Sequence, residues 1–122
     1  MFEGEAYLNL ATFRRDGRAV ETPVWFAKLD GKLYAFSEGE AGKVKRLRNS
    51  SRARVAPCNV RGRLRGEWCE ARVRILNDPD TIARARQALR AKYGLQMRIL
   101  DFFSRLAGRI ESRAFLEIEL SA

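Results

Sequence analysis

The residues best suited to chemistry lie in one run, Ser37-Glu38-Gly39-Glu40-Ala41-Gly42-Lys43-Val44-Lys45-Arg46. A hydroxyl, flexible backbone at Gly39 and Gly42, and cations at the start of a predicted helix are what an anion such as a phosphate requires. The same cations also fit a solvated helix face, and Glu38 and Glu40 put negative charge beside the anion unless they point away. A second candidate is Thr22-Pro23-Val24-Trp25-Phe26. Proline within a β run frees one edge of the backbone, and the adjacent tryptophan offers a flat apolar surface for a planar ring. The plainer reading of that run is an edge strand with a core tryptophan.

The chain holds no histidine. This removes Ser-His and Cys-His nucleophilic dyads, imidazole acid–base work and His-containing zinc sites, and no acidic cluster suggests a metal site built from carboxylates. Catalysis by such a chain rests on an external cofactor. Cys58 and Cys69 stand eleven positions apart without CxxC spacing and read as buried thiols. Lys and Arg number 24 against 15 Asp and Glu, a formal charge of +9, so an anionic partner is expected. The basic residues are spread along the chain with no recognition-helix or RNP-like aromatic pattern, which favours a phosphorylated small molecule over nucleic acid. No stretch approaches the ~20 apolar residues that cross a membrane, and the N-terminus lacks a secretory pattern. The expected compartment is the cytoplasm, with no membrane partner.

The periodicity of the sequence predicts the elements that position these residues. Tyr7 to Phe13 is β-rich and ends at Asp16-Gly17; Ala19 to Leu29 follows and turns at Asp30-Gly31 into Lys32 to Phe36, which predicts a three-stranded meander. A short basic helix spans Ala41 to Arg48. Strands follow at Arg52 to Cys58, where Pro57 marks an edge, bulge or strand end, and at Glu67 to Leu76. Asp78-Pro79 opens a helix whose Ile82, Ala85, Leu89 and Tyr93 repeat at helical spacing up to Gly94. A second helix runs from Gln96 to about Leu106, with Met97, Leu100, Phe103 and Leu106 as its expected core stripe and Phe102 beside it. Ala114 to Leu120 alternates as a final strand. The expectation is one domain over residues 1–122: mostly β, a six-stranded antiparallel barrel with two or three helices and a helical insertion at about 78–107. A small barrel is filled by its own side chains, so binding falls on its outside or between subunits.

The ordered set Leu10-Ala11-Thr12-Phe13-Arg14-Arg15-Asp16-Gly17, Thr22-Pro23-Val24-Trp25-Phe26, Ser37 with Lys43 six residues on, Arg52-Ala53-Arg54-Val55-Ala56-Pro57-Cys58, Gly66-Glu67-Trp68 and Lys92-Tyr93-Gly94 resembles the pyridoxamine 5'-phosphate oxidase-like split β-barrel (FMN-binding split barrel) family. Within it, Lys92-Tyr93-Gly94 followed by Gln96-Met97 is similar to a branch assigned to the deazaflavin coenzyme F420. The resemblance implies a homodimer with the cofactor, coenzyme F420 or FMN, in a groove between subunits. It implies Ser37 and Lys43 on the cofactor phosphate and the backbone of Pro23, Val24 and Trp25 along the ring; Lys45 and Arg46 join the phosphate set by charge and position. An arginine that the family often carries between the Ser/Thr and the Lys is matched here by Ala41. The implied function is an oxidoreductase passing hydride from a deazaflavin to a small organic acceptor. The alternatives are an FMN-binding flavin reductase or oxidase-like protein and a non-catalytic cofactor carrier. No catalytic side chain is assigned, since Tyr34 and Tyr93 read as packing residues.

Overall fold

The computed structural model describes residues 2–39, 41–109 and 112–121. Its strands are β1 (Tyr7–Phe13), β2 (Ala19–Val24), β3 (Phe26–Leu29), β4 (Lys32–Glu38), β5 (Arg52–Cys58), β6 (Cys69–Ile75) and β7 (Arg113–Leu120). The helices are α1 (Gly42–Asn49), α2 (Pro79–Tyr93) and α3 (Leu95–Leu106). All seven strands join one antiparallel sheet in the order β2-β1-β5-β6-β7-β4-β3, which curls into a half-barrel.

The expected mostly-β split barrel is present with seven strands rather than six, because the run from Ala19 to Leu29 is cut at Trp25. β2 pairs with β1 at one edge of the sheet, while β3 pairs with β4 at the other. The chain therefore leaves one edge at Val24 and joins the opposite edge at Phe26, both buried in the same core. Two hairpins at opposite ends of the sheet replace the expected meander, and the Trp25 crossing draws the sheet edges together. Asp30 and Gly31, with φ of 53° and 80°, supply the left-handed pair that the β3–β4 turn needs. Pro57 stands where β5 has outrun β6: the β6 ladder stops at Val55, and the Pro57 carbonyl accepts from Arg65 instead.

Two packed clusters flank the sheet. The inner one contains Leu8, Leu10, Phe26, Val55, Val73, Leu116 and Ile118; the outer one, under α2, contains Tyr34, Leu76, Ala85, Leu89, Tyr93, Met97 and Phe115. Asp78 caps α2 by accepting the Thr81 N–H at 3.2 Å, and Pro79 opens the helix. Cys58 is buried and Cys69 partly so, and the two are not joined by a disulfide.

Only the first half of the stripe expected on α3 packs: Met97 and Leu100 join the outer cluster, and Phe103 and Leu106 do not. Met97 and Asp101 are buried, whereas Phe103 and Leu106 are 61% and 71% exposed. α3 is apolar on several sides, so periodicity aligns its residues without choosing which side packs. A polar contact makes the choice: the Asp101 carboxylate accepts from Arg113 at 2.7 Å and Arg90 at 3.3 Å.

The end of α2 clamps the crossing at Trp25. The Tyr93 ring stacks on Trp25 with centroids 4.5 Å apart and planes 9° apart. Its hydroxyl accepts the Phe26 N–H at 2.9 Å and donates to the Ala6 carbonyl at 2.7 Å, and Lys92 Nζ donates to the Phe26 carbonyl at 2.8 Å. These contacts satisfy backbone groups at a sheet edge that would otherwise pair with another chain. Burial pushes the Tyr93 phenol up to about 12. Tyr93→Phe keeps the stacked ring and removes only the hydroxyl, so it should cost about 1–3 kcal/mol of unfolding free energy in a denaturant titration; a loss inside experimental error would show that the Phe26 backbone needs no such partner.

Candidate functional site

Ser37 is buried next to the end of β4, and α1 begins five residues after it, at Gly42. Gly39 is required here, because a Cβ on it would lie 2.3 Å from the Ser112 carbonyl oxygen. Ala41 caps α1 without a side-chain hydrogen bond, and the first turn contains no acid. Among the described residues no side-chain carboxylate of the first turn offsets the positive end of the helix dipole. Glu38 accepts from the Ser112 hydroxyl at 2.9 Å, which engages its carboxylate on the β7 side. Glu40, the other acid of this run, lies outside the described residues.

Val44 and Leu47 are the buried face of α1, Leu47 joining the inner core, which leaves Lys43 and Arg46 half-buried on one side of the helix. Lys43 Nζ donates to Ser37 Oγ at 3.3 Å, and Arg46 Nε donates to the fully buried Thr12 Oγ1 at 2.7 Å. A Cβ on Gly42 would meet Arg46 Nη1 at 2.8 Å, so the glycine leaves room for the guanidinium to fold back over the helix start. Burial, and then the Arg46 charge, lower the pKa of Lys43; burial, and then the Arg14 charge, lower that of Arg46. Among the described residues neither cation has a carboxylate within ion-pair distance. Two desolvated cations of like charge that point at hydroxyls are an arrangement that an anion between them would stabilise.

The basic surface continues past Arg46 into a cleft of about 530 Å³ whose lining includes Phe13, Arg14, Arg15, Arg46, Asn49 and Arg52. Arg52 lies 4.3 Å above the Phe13 ring and pairs with Glu70 at 3.4 Å.

The structure thus brings Ser37, Lys43 and Arg46 together. Lys45 is exposed, roughly 200° around α1 from Lys43. Pro23, Val24 and Trp25 divide among three surroundings: Pro23 is exposed on the β2 edge, Val24 enters the inner core, and Trp25 turns towards α2. One Trp25 face is taken by Tyr93, so an external ring would meet the strand backbone and Pro23. Among the described residues two buried side-chain oxygens lack a hydrogen-bond partner, Asn9 Oδ1 and Thr22 Oγ1. Asn9 sits opposite Pro23 in the β1–β2 ladder and Thr22 beside it, so the strand pair around Pro23 keeps unspent hydrogen-bonding capacity.

Reading the sequence missed the contact of Thr12 with Arg46 and the charge of Arg14 beside it. The run Leu10 to Gly17 contained both, but only the approach of α1 to β1 brings them to Arg46. Tyr34 donates to Glu117 at 3.0 Å, and burial followed by that hydrogen bond raises its pKa. With Tyr93 also raised, both phenols stay protonated at neutral pH.

The family model described as pyridoxamine 5'-phosphate oxidase matches residues 1–122. No curated protein matches the chain. Among solved structures, the chain is similar to a heme storage protein from Vibrio cholerae at 11% identity and TM-score 0.76, covering 98% of this chain and 84% of that one. It is similar to a conserved hypothetical protein from Mycobacterium tuberculosis at 20% identity and TM-score 0.72, covering 98% and 75%. A FAD-binding protein from Mesorhizobium loti aligns at 20% identity and TM-score 0.66, covering 98% and 83%. At these identities the likeness shows the fold.

Proposed function

The chain belongs to the pyridoxamine 5'-phosphate oxidase family, and from that premise we propose that it binds coenzyme F420 as an oxidoreductase passing hydride to a small organic acceptor. The reading is carried by Lys43 and Arg46, half-buried cations that converge on Ser37 and Thr12 with no carboxylate partner among the described residues. Such a pair is costly in an apo fold and becomes favourable once an anion lies between the two charges.

The residues present fit a phosphate-bearing cofactor. Lys43 and Arg46 hold the phosphate and Ser37 adds a hydroxyl. The β1–β2 strands present Pro23 backbone and, on the same face of the ladder, Asn9 to a planar ring, while Thr22 stands opposite Leu10 on the face of the inner core; Tyr93 holds Trp25 rigid behind them. When bound, the ring supplies hydride chemistry; the chain binds it, orients it and excludes water. Tyr34 and Tyr93 are committed to Glu117 and to backbone, so neither is assigned a proton-transfer role. A second copy would cover the ring face that one chain leaves open at Pro23, which is why the reading includes a homodimer.

The arginine cleft favours the deazaflavin. FMN ends at its phosphate, whereas F420 continues into a carboxylate-bearing tail for which Arg14, Arg15 and Arg52 offer partners beyond Arg46. A flavin is the second reading, favoured by the structural similarity to a protein named as FAD-binding.

Titrating apo protein with F420, FMN and FAD, followed by the absorbance of each ring, separates these readings. F420 should bind about tenfold or more tightly than FMN, and its affinity should fall steeply with added salt. Tighter FMN or FAD binding would replace the deazaflavin with a flavin, and binding of none of the three would overturn the assignment.

A further inference from the structure

α3 packs Met97 and Leu100 inward but carries five further apolar residues on the side turned away from the protein. Leu95, Ile99, Phe102, Phe103 and Leu106 are 71%, 50%, 57%, 61% and 71% exposed. At about 100° per residue they form one stripe about 100° wide, opposite the Met97 and Asp101 side that packs. Arg98 and Arg105 line one border of this stripe. Beside them runs a groove of about 670 Å³ between α2 and α3, whose lining includes Arg90, Arg98 and Arg105. The one acid of α3, Asp101, is buried and already engaged by Arg113 and Arg90.

An apolar patch with a border of arginine, on a helix whose described residues hold no exposed acid, fits a partner that is both apolar and anionic. A second copy of the chain fits poorly. Five half-exposed side chains offer on the order of 500 Å², below the ~800 Å² that each partner buries in a stable dimer. A second α3 would also bring further arginines and no exposed carboxylate. We propose that α3 is an interfacial helix that docks the protein on an anionic lipid surface. Its stripe enters the acyl boundary, and Arg98 and Arg105, with the groove beside them, take headgroup phosphates.

At 12 residues α3 is too short to span a bilayer, and no helix among the described residues is long and apolar enough to do so. The sequence-based expectation of no membrane partner rested on the lack of a spanning run, which an interfacial helix does not require. This inference is independent of the cofactor reading.

The test is sedimentation of the full chain with vesicles of pure phosphatidylcholine and with vesicles holding about 30% phosphatidylglycerol. The protein should pellet with the anionic vesicles and remain largely in solution with the neutral ones. Phe102→Ser with Phe103→Ser, both exposed, should lower anionic-vesicle binding about tenfold or more while the circular dichroism spectrum is kept. Arg98→Glu with Arg105→Glu should abolish the preference for anionic lipid. Lys43→Ala, which alters the proposed cofactor site alone, should leave pelleting unchanged. Equal binding to both vesicles, or to neither, overturns the proposal. So does light scattering in which the Phe102/Phe103 pair converts a dimer to a monomer, since the stripe then belongs to a second copy.

Discussion

A Lys43→Met, Arg46→Met double variant loses affinity for the anionic cofactor by roughly 3 kcal/mol or more, at least a hundredfold. Each cation supplies a charge-assisted contact of about 1.5–3 kcal/mol, and methionine keeps an apolar stem against the core while removing the charge. The two changes are neighbours and do not add simply, because removing Arg46 relieves the repulsion that lowers Lys43. Calorimetric titration of the double variant and both single variants measures the coupling. A change of less than about threefold in the double variant would place the anion elsewhere.

Stability of the apo protein moves the other way for Lys43. Its folded pKa lies below the unfolded value, so at neutral pH folding must desolvate a cation beside Arg46. That unfavourable contribution is fully present below the lowered folded pKa and vanishes as pH rises through the ordinary lysine value of about 10.4. Lys43→Met alone should therefore raise the apo unfolding midpoint near neutrality, with the gain shrinking towards alkaline pH. Arg46→Met should give no such gain, because it strips the buried Thr12 hydroxyl of its donor.

This opposition between binding and stability also explains what the sequence could and could not reveal. The hairpin at Asp30-Gly31 and the Asp78-Pro79 start of α2 were legible because local backbone chemistry decides them. The contact between Ser37 and Lys43 was legible because six residues of chain bridge a strand end and a helix start. Thr12 was not, since it stands 34 residues before Arg46 and meets it only through the packing of α1 against β1. The break at Trp25 was hidden for a related reason. Val20, Thr22, Val24 and Phe26 alternate without interruption, and only the opposite pairing of β2 and β3 shows that one run serves two sheet edges. The packed side of α3 depends on Asp101 and Arg113, which belong to different elements and which no hydrophobic period can connect.

That pair carries the second large effect. Asp101 and Arg113 side chains are each 7% exposed and 2.7 Å apart. Arg113 also donates to Ser104 Oγ at 2.8 Å and stands 4.8 Å above the Phe36 ring, which packs edge-on against Trp25. Asp101→Asn leaves the Arg113 cation buried without its carboxylate and should cost about 3–5 kcal/mol of unfolding free energy. Asp101→Leu combined with Arg113→Met should recover most of that loss, because a buried ion pair exchanged for apolar groups of similar volume is often close to neutral. Denaturant unfolding of the three proteins tests both statements; a cost below about 1 kcal/mol for Asp101→Asn would mean that water reaches the pair. The loss should also be local before it is global. Asp101 seats α3, and Arg113, Phe36 and Trp25 form one run of contacts to the Tyr93 stack. With Trp68 replaced by Phe so that Trp25 is the one emitter, emission in Asp101→Asn should therefore shift to the red at denaturant concentrations where the far-ultraviolet signal of the sheet is still native. Coincident transitions would show instead that the helical clamp and the barrel unfold as one unit.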